Sequence, residues 1–122
     1  MARPVLDEEQ LHPAIRERVA HAHADIVHNV RAAAATHPVL VVGMAGNPFC
    51  RRARRTLDAV GLSHHYLEYG SYLGGWKPRL ALKMWTGWPT FPMVFVRGRL
   101  VGGAADLARL AGSGELQRLL AA

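Results

Sequence analysis

One cysteine, Cys50, stands in a chain of 122 residues. That scarcity closes off an intramolecular disulfide, and a cysteine-based metal site would need other ligand types or a second chain. Any redox chemistry must therefore be monothiol. Long apolar runs are missing too: the longest are strand-sized and interrupted, too short for a membrane span. Met1-Ala2-Arg3-Pro4 leads into acidic residues and not into an apolar stretch, so no secretory signal is read and a cytoplasmic protein is expected. Repeats and low-complexity tracts are absent. The net charge is +6, carried mostly by arginines that are spread widely apart from Arg51, Arg52, Arg54 and Arg55. A basic balance can favour nucleic acid, anionic membranes or acidic small molecules. No nucleic-acid-binding motif accompanies the cluster, and neither nucleic acid nor membrane is expected as a partner.

What is present suffices for one core. Half of the residues are hydrophobic, and the length suits a single compact domain. Asp7-Glu8-Glu9-Gln10 is a helix-capping signal, with Pro13 near a first turn. Leu11, Ile15, Val19, Ile26 and Val30 recur at helical spacing and predict one amphipathic helix to about Ala35, stopped by Pro38. Val39-Leu40-Val41-Val42 reads as a buried strand and Gly43-Met44-Ala45-Gly46 as a loop. Asn47-Pro48 then opens a helix, with asparagine as cap and proline at the first position, and Gly61 closes it. His65 to Tyr69 alternates like a strand, and a short helix is expected from about Pro78 to Trp85. Met93 to Val96 and Arg99 to Val101 form a hairpin about Arg97-Gly98, followed by a helical stretch from about Asp106 to Leu120, interrupted at Gly112-Ser113-Gly114. This order predicts a parallel βαβ half joined to an antiparallel hairpin, one mixed sheet with helices on both faces.

Three motifs carry a family resemblance. Asn47-Pro48-Phe49-Cys50, at a strand-to-helix junction, resembles the Cys-Pro-Tyr/Phe-Cys motif of dithiol glutaredoxins with its first cysteine replaced. Trp88-Pro89-Thr90-Phe91-Pro92 resembles the cis-proline loop of monothiol glutaredoxins. Arg97-Gly98-Arg99-Leu100-Val101-Gly102-Gly103 resembles the family's hairpin and glycine pair, and Gly114-Glu115-Leu116 its tail. The resemblance implies a thioredoxin-like α/β fold, a four-stranded mixed sheet flanked by helices. It divides the chain into an N-terminal helical extension, 1–37, and a glutaredoxin-like domain, 38–122. Making Cys50 the nucleophile would shorten the next helix by nearly a turn and leave Pro48 and Phe49 unexplained, so Asn47 holds the nucleophile position and Cys50 the resolving one.

That substitution decides the chemistry to be expected. A thiolate at a helix N-terminus is favoured by free N–H groups and the macrodipole. Asn47 can cap the helix but cannot attack a disulfide. Cys50 lies a turn further in, where burial would raise its pKa while the neighbouring arginines would lower it; a buried structural thiol and a reactive one both remain open. The resemblance further implies glutathione as cofactor, with Arg51, Phe91, Pro92, Gly102, Gly103 and Asp106 as its contacts. Phe91 would pair its main chain with the cysteinyl part. Relatives carry a lysine where Ala45 stands and an aspartate where Ala105 stands, so recognition is weakened unless Asp106 substitutes. An iron–sulfur cluster is not expected, because its first-position thiolate is missing.

The remaining features have plain readings. His21, Asp25 and His28 fall at one helix face as a weak metal set, better read as a solvated surface, and no metal site is assigned. Trp76, Trp85 and Trp88 could wall a groove, with core packing the default for at least two. The N-terminal apolar stripe could pack on the domain or form a homodimer. Two functions follow. One is monothiol glutathione-linked thiol–disulfide exchange through Cys50, with glutathione or a protein thiol as partner. The other is a non-catalytic module that binds glutathione, a peptide or a protein.

Overall fold

A computed structural model describes residues 3–121. After a single 3-10 turn at Glu8–Gln10, its elements are α1 (Pro13–His21), α2 (Ala24–Thr36), β1 (Val39–Ala45), α3 (Pro48–Ala59) and β2 (His65–Ser71). There follow α4 (Trp76–Thr86), β3 (Met93–Val96), β4 (Arg99–Gly102), α5 (Ala104–Ser113) and α6 (Glu115–Ala121). The strands lie in the order β2-β1-β3-β4. β1 runs parallel to β2 and antiparallel to β3, and β3 pairs antiparallel with β4. The expected mixed sheet is therefore present, with thioredoxin-like connectivity.

β1 is central and buried on both faces, which is why it reads as an unbroken apolar run. Its alternate residues separate two cores. Leu40, Val42 and Met44 pack with Val30 and Ala34 of α2, Leu82 of α4, and Met93 and Phe95. Val39 and Val41 pack with Ala53 and Leu57 of α3, Val94 and Val96 of β3, Leu107 of α5 and Leu116 of α6. The strand also runs past the expected loop: Gly43, Met44 and Ala45 belong to it, because β1 keeps pairing with β2 as far as Ala45 opposite Ser71, across an irregularity.

The N-terminal helix is where the expectation fails. The acidic cap at Asp7 produces only the 3-10 turn, because His12 precedes Pro13 and is held extended (φ −61°, ψ 138°). α1 then starts afresh, with His12 Nδ1 accepting the Ala14 N–H at 3.0 Å. The predicted single helix breaks again at His23, a left-handed residue (φ 51°) that no glycine or proline announces. The two halves do different work: α1 buries no side chain, whereas α2 buries Val30 and Ala34 against the sheet. His21 thus ends α1 while Asp25 and His28 lie in α2, so the single-helix register that would align these three does not exist.

Other boundaries move for local reasons. α4 begins at Trp76, before Pro78, since a proline in the first turn forgoes an N–H that would have no intrahelical partner. α5 begins at Ala104 and not at Asp106, because Asp106 is the third helical residue and reaches back to the chain before it. The β3–β4 hairpin turns through Arg97 (φ 49°) and Gly98 (φ 80°), the left-handed pair whose twist matches that of the strands.

The unequal burial of α1 and α2 gives a direct test. Val30→Ala is expected to cost about 2 kcal/mol by cavity formation. Val19→Ala, on half-exposed α1, should change stability by less than about 0.5 kcal/mol. Urea unfolding midpoints compare the two, and equal losses would mean that α2 is not docked as described.

Candidate functional site

The site forms where β1 ends and α3 begins. Asn47 is held extended (φ −87°, ψ 119°) by the following proline, and its side-chain oxygen turns back onto the helix. Oδ1 accepts the Phe49 N–H at 2.8 Å and the Cys50 N–H at 3.1 Å. Asn47 is only 7% exposed, and it is the one buried polar side chain among the described residues. The amides that would favour an anion at this helix N-terminus are therefore already bound to a carboxamide oxygen.

From that cap the helix distributes its side chains by angle. Cys50, Ala53 and Leu57 face inward, while Phe49 and Arg52, three residues apart, share an outer face. Cys50 is 1% exposed. Its sulfur lies against the backbone of Gly43, where an added Cβ would meet Sγ at 2.8 Å and the Tyr66 hydroxyl at 2.9 Å. A strand residue without a side chain is what allows α3 to seat its thiol on β1. Tyr66 in turn donates to Glu68 at 3.0 Å, and the Arg54 guanidinium stacks over its ring at 4.2 Å.

Burial pushes the Cys50 thiol above its ordinary range, and the Glu68 carboxylate adds to that. The Met44 amide and Arg51 act the other way and are outweighed. Burial, with the bond to Glu68, likewise raises the Tyr66 phenol. The four arginines that surround Cys50 in sequence are all exposed, so their pull on the sulfur is weak.

A separate cleft of about 270 Å³ opens on the outer face of α3. Its walls are Phe49 and Arg52 of α3, Trp88, Phe91 and Pro92 of the loop before β3, and the start of α5 from Gly103 to Asp106. The Phe91–Pro92 peptide bond is cis. Phe91 precedes β3, and its main-chain amide and carbonyl enter none of the turn, loop or cap hydrogen bonds among the described residues. The Trp88 indole N–H is buried without an acceptor, close to Gly103.

The expected contacts sort accordingly. Phe91, Pro92, Gly103 and Asp106 come together at the cleft. Arg51 does not: the helical turn puts Arg52 there instead, which the three-residue spacing from Phe49 could have indicated. Gly102 is not part of the wall either. It is left-handed (φ 120°), and any side chain there would collide with the Asp106 carboxylate, which crosses over it to accept the Gly103 N–H at 3.0 Å. Asp106 also pairs with Arg109, so it acts as the cap of α5 with both oxygens engaged. Cys50 is absent from the cleft wall. Of the tryptophans, Trp85 and Trp88 pack against the core and Trp76 is exposed. Among the described residues no three histidine, cysteine or acidic side chains are grouped to hold a metal ion, and no helix is long and apolar enough to cross a membrane.

Both the sequence and the fold resemble those of known proteins. The glutaredoxin profile matches residues 39–101. A glutaredoxin-like protein of Dictyostelium discoideum is 43% identical over 94 residues, covering 77% of this chain and 76% of its own length. A rice (Oryza sativa) glutaredoxin is 34% identical over 86 residues, 70% of this chain and 77% of that one. Among solved structures, a wheat glutaredoxin superposes with a TM-score of 0.69 at 28% identity, covering 80% of this chain and 91% of the other. A buckwheat glutaredoxin–glutathione complex shares the fold with a TM-score of 0.71 at 23% identity, covering 80% and 89%. The chain belongs to the glutaredoxin family.

Two measurements check the buried thiol. Gly43→Ala is expected to destabilise the fold by about 1–3 kcal/mol through overpacking, and Cys50→Ala in the same chain should recover a large part of it; additive losses would separate the two residues. The second is pH. Because the folded state disfavours the thiolate, this group's contribution is intact below the ordinary thiol range of about 8.5, and stability falls as pH rises above it toward the folded pKa. Cys50→Ala should flatten that alkaline decline in thermal melts, and an unchanged slope would mean the thiol ionises freely.

Proposed function

We propose that this glutaredoxin-family chain is a non-catalytic module that binds glutathione or a similar short thiol peptide in the cleft beside α3. The observation that carries the reading is at Asn47: a carboxamide oxygen occupies the two amides of the helix N-terminus, and the only thiol is sealed on the opposite, sheet-facing side. Thiol–disulfide exchange through Cys50 would need a thiolate where burial suppresses one, and an approach path through the first turn of α3.

The cleft retains what a peptide backbone requires. The Phe91 main chain offers an unpaired donor and acceptor, as an extended ligand would use them. Phe49 and Trp88 supply apolar walls, and Arg52 a cation for a carboxylate. Two charged contacts of the relatives are missing, at Ala45 and Ala105, so binding is weak and the peptide is released readily. Glutathione fits this set through its backbone and one carboxylate. A bridged iron–sulfur cluster does not, because Asn47 offers no thiolate.

Intact mass after incubation with oxidised glutathione, from about pH 6 to pH 9, separates the two chemistries. The expected result is no adduct on the native protein and a single adduct once it is denatured. A rapid adduct on the folded chain near neutral pH would overturn the proposal and assign exchange to Cys50. Calorimetry with reduced glutathione tests the binding half: Ala105→Asp should tighten it by roughly tenfold, the worth of one charged hydrogen bond. Asn47→Cys should create disulfide reductase activity where the parent chain has none. Wild-type turnover at a comparable rate would sink the non-catalytic reading.

A further inference from the structure

Four exposed apolar side chains gather at one groove of this molecule. Val19, Trp76, Leu80 and Met84 are 49%, 58%, 46% and 70% exposed, and all four line a single groove between the N-terminal helices and α4. At about 750 Å³ it is much the larger of the two cavities described, and it lies apart from the cleft beside α3. Trp76, Leu80 and Met84 follow one another at four-residue spacing, so they form one stripe along α4. The facing wall comes from Val19 to Arg31, which lies outside the span matched to the family. This groove exists because the extension breaks at His23 and folds beside α4.

Its ionisable lining is of one kind. Arg31, Lys77, His23 and His28 reach the groove, and no carboxylate does. None of these four side chains makes an ion pair among the described residues. Lys77 instead lies over the Trp76 ring at 5.7 Å, which places its charge at the edge of the apolar stripe. An apolar floor with a few convergent polar groups and a volume of several hundred Å³ suits a small ligand. The chain's own charge of +6 disfavours a second copy at a cationic rim.

We propose that the groove binds a monomeric single-chain acyl carboxylate, its tail along Leu80, Met84 and Val27 and its carboxylate at the cationic rim of Arg31 and Lys77. The site is independent of the cleft beside α3. It takes an anionic amphiphile because each part has a counterpart in the lining: methylenes against the α4 stripe, one negative charge against unpaired cations.

The test is a titration of the full chain with octanoate, decanoate and dodecanoate below their micelle thresholds, followed by calorimetry and by intrinsic tryptophan fluorescence. Saturable one-to-one binding is expected, tightening by about fourfold per added methylene. Decanol should bind roughly tenfold more weakly than decanoate. Met84→Glu should abolish binding, and Lys77→Glu should remove the preference for the acid over the alcohol; both side chains are exposed, and thermal melts confirm that the variants fold. If either does not fold, Leu80→Glu or Arg31→Glu takes its place. Absence of saturation, full binding by Met84→Glu, or equal affinity for acid and alcohol would each overturn the proposal. So would a monomer–dimer equilibrium that Met84→Glu abolishes and dodecanoate does not shift, which would give the groove to a second copy.

Discussion

The side-chain oxygen of Asn47, accepting two amides at the start of α3, is the contact on which the rest of this site turns. It settles where the helix begins, and through the helical repeat it settles which residues face the sheet and which face solvent. Cys50 goes inward to Gly43 and Phe49 goes outward to the cleft because both are counted from that cap. An unfilled helix N-terminus is an anion site; one filled by a neutral carboxamide is a structural joint. Here the Asn47 carboxamide fills that terminus.

The second constraint is the burial of β1 on both faces. It obliges every neighbour to bring apolar surface, and the N-terminal extension answers through α2, whose Val30 joins the core with Leu40 and Val42. α1 receives no such anchoring; α2 packs on α4, and the end of α1 adds Val19 and Ala20 to the wall of a half-open groove there. Two concave surfaces of unlike character therefore lie on this fold: a narrow cleft with main-chain hydrogen-bonding groups, and a broad apolar trough with a cationic margin.

Much of this was legible in the residues. The strands of the mixed sheet, the Asn47-Pro48 helix entry and the Pro92 loop all rest on local chemistry that a sequence displays: β-branched runs, a capping amide, prolines at restricted positions. The breaks in the N-terminal helix were not legible. The one at His23 depends on a left-handed residue of ordinary type, and in the sequence the apolar residues keep their helical spacing across it. The early start of α5 was hidden for a related reason, since Asp106 looks like the first helical residue when it is in fact the third, reaching back. Arg51 and Arg52 look alike as neighbours in a charge cluster, and the three-residue spacing from Phe49 is the sequence signal that separates them. The burial of Cys50 was hidden as well, since it depends on Gly43 leaving room for the sulfur across the strand.

The Asn47 cap also changes how the protein ages under peroxide. A thiolate at a helix terminus climbs an oxidation ladder and must be repaired; a carboxamide does not enter it. The Cys50 sulfur is shielded, and burial favours its thiol form, the one less open to oxidation. Pro48 lends further durability, because the usual loss of an asparagine amide runs through the nitrogen of the next residue, and here that nitrogen is part of a ring. On the proposed reading, occupancy of the cleft beside α3 follows the concentration of its ligand and stays indifferent to the potential of the surrounding compartment.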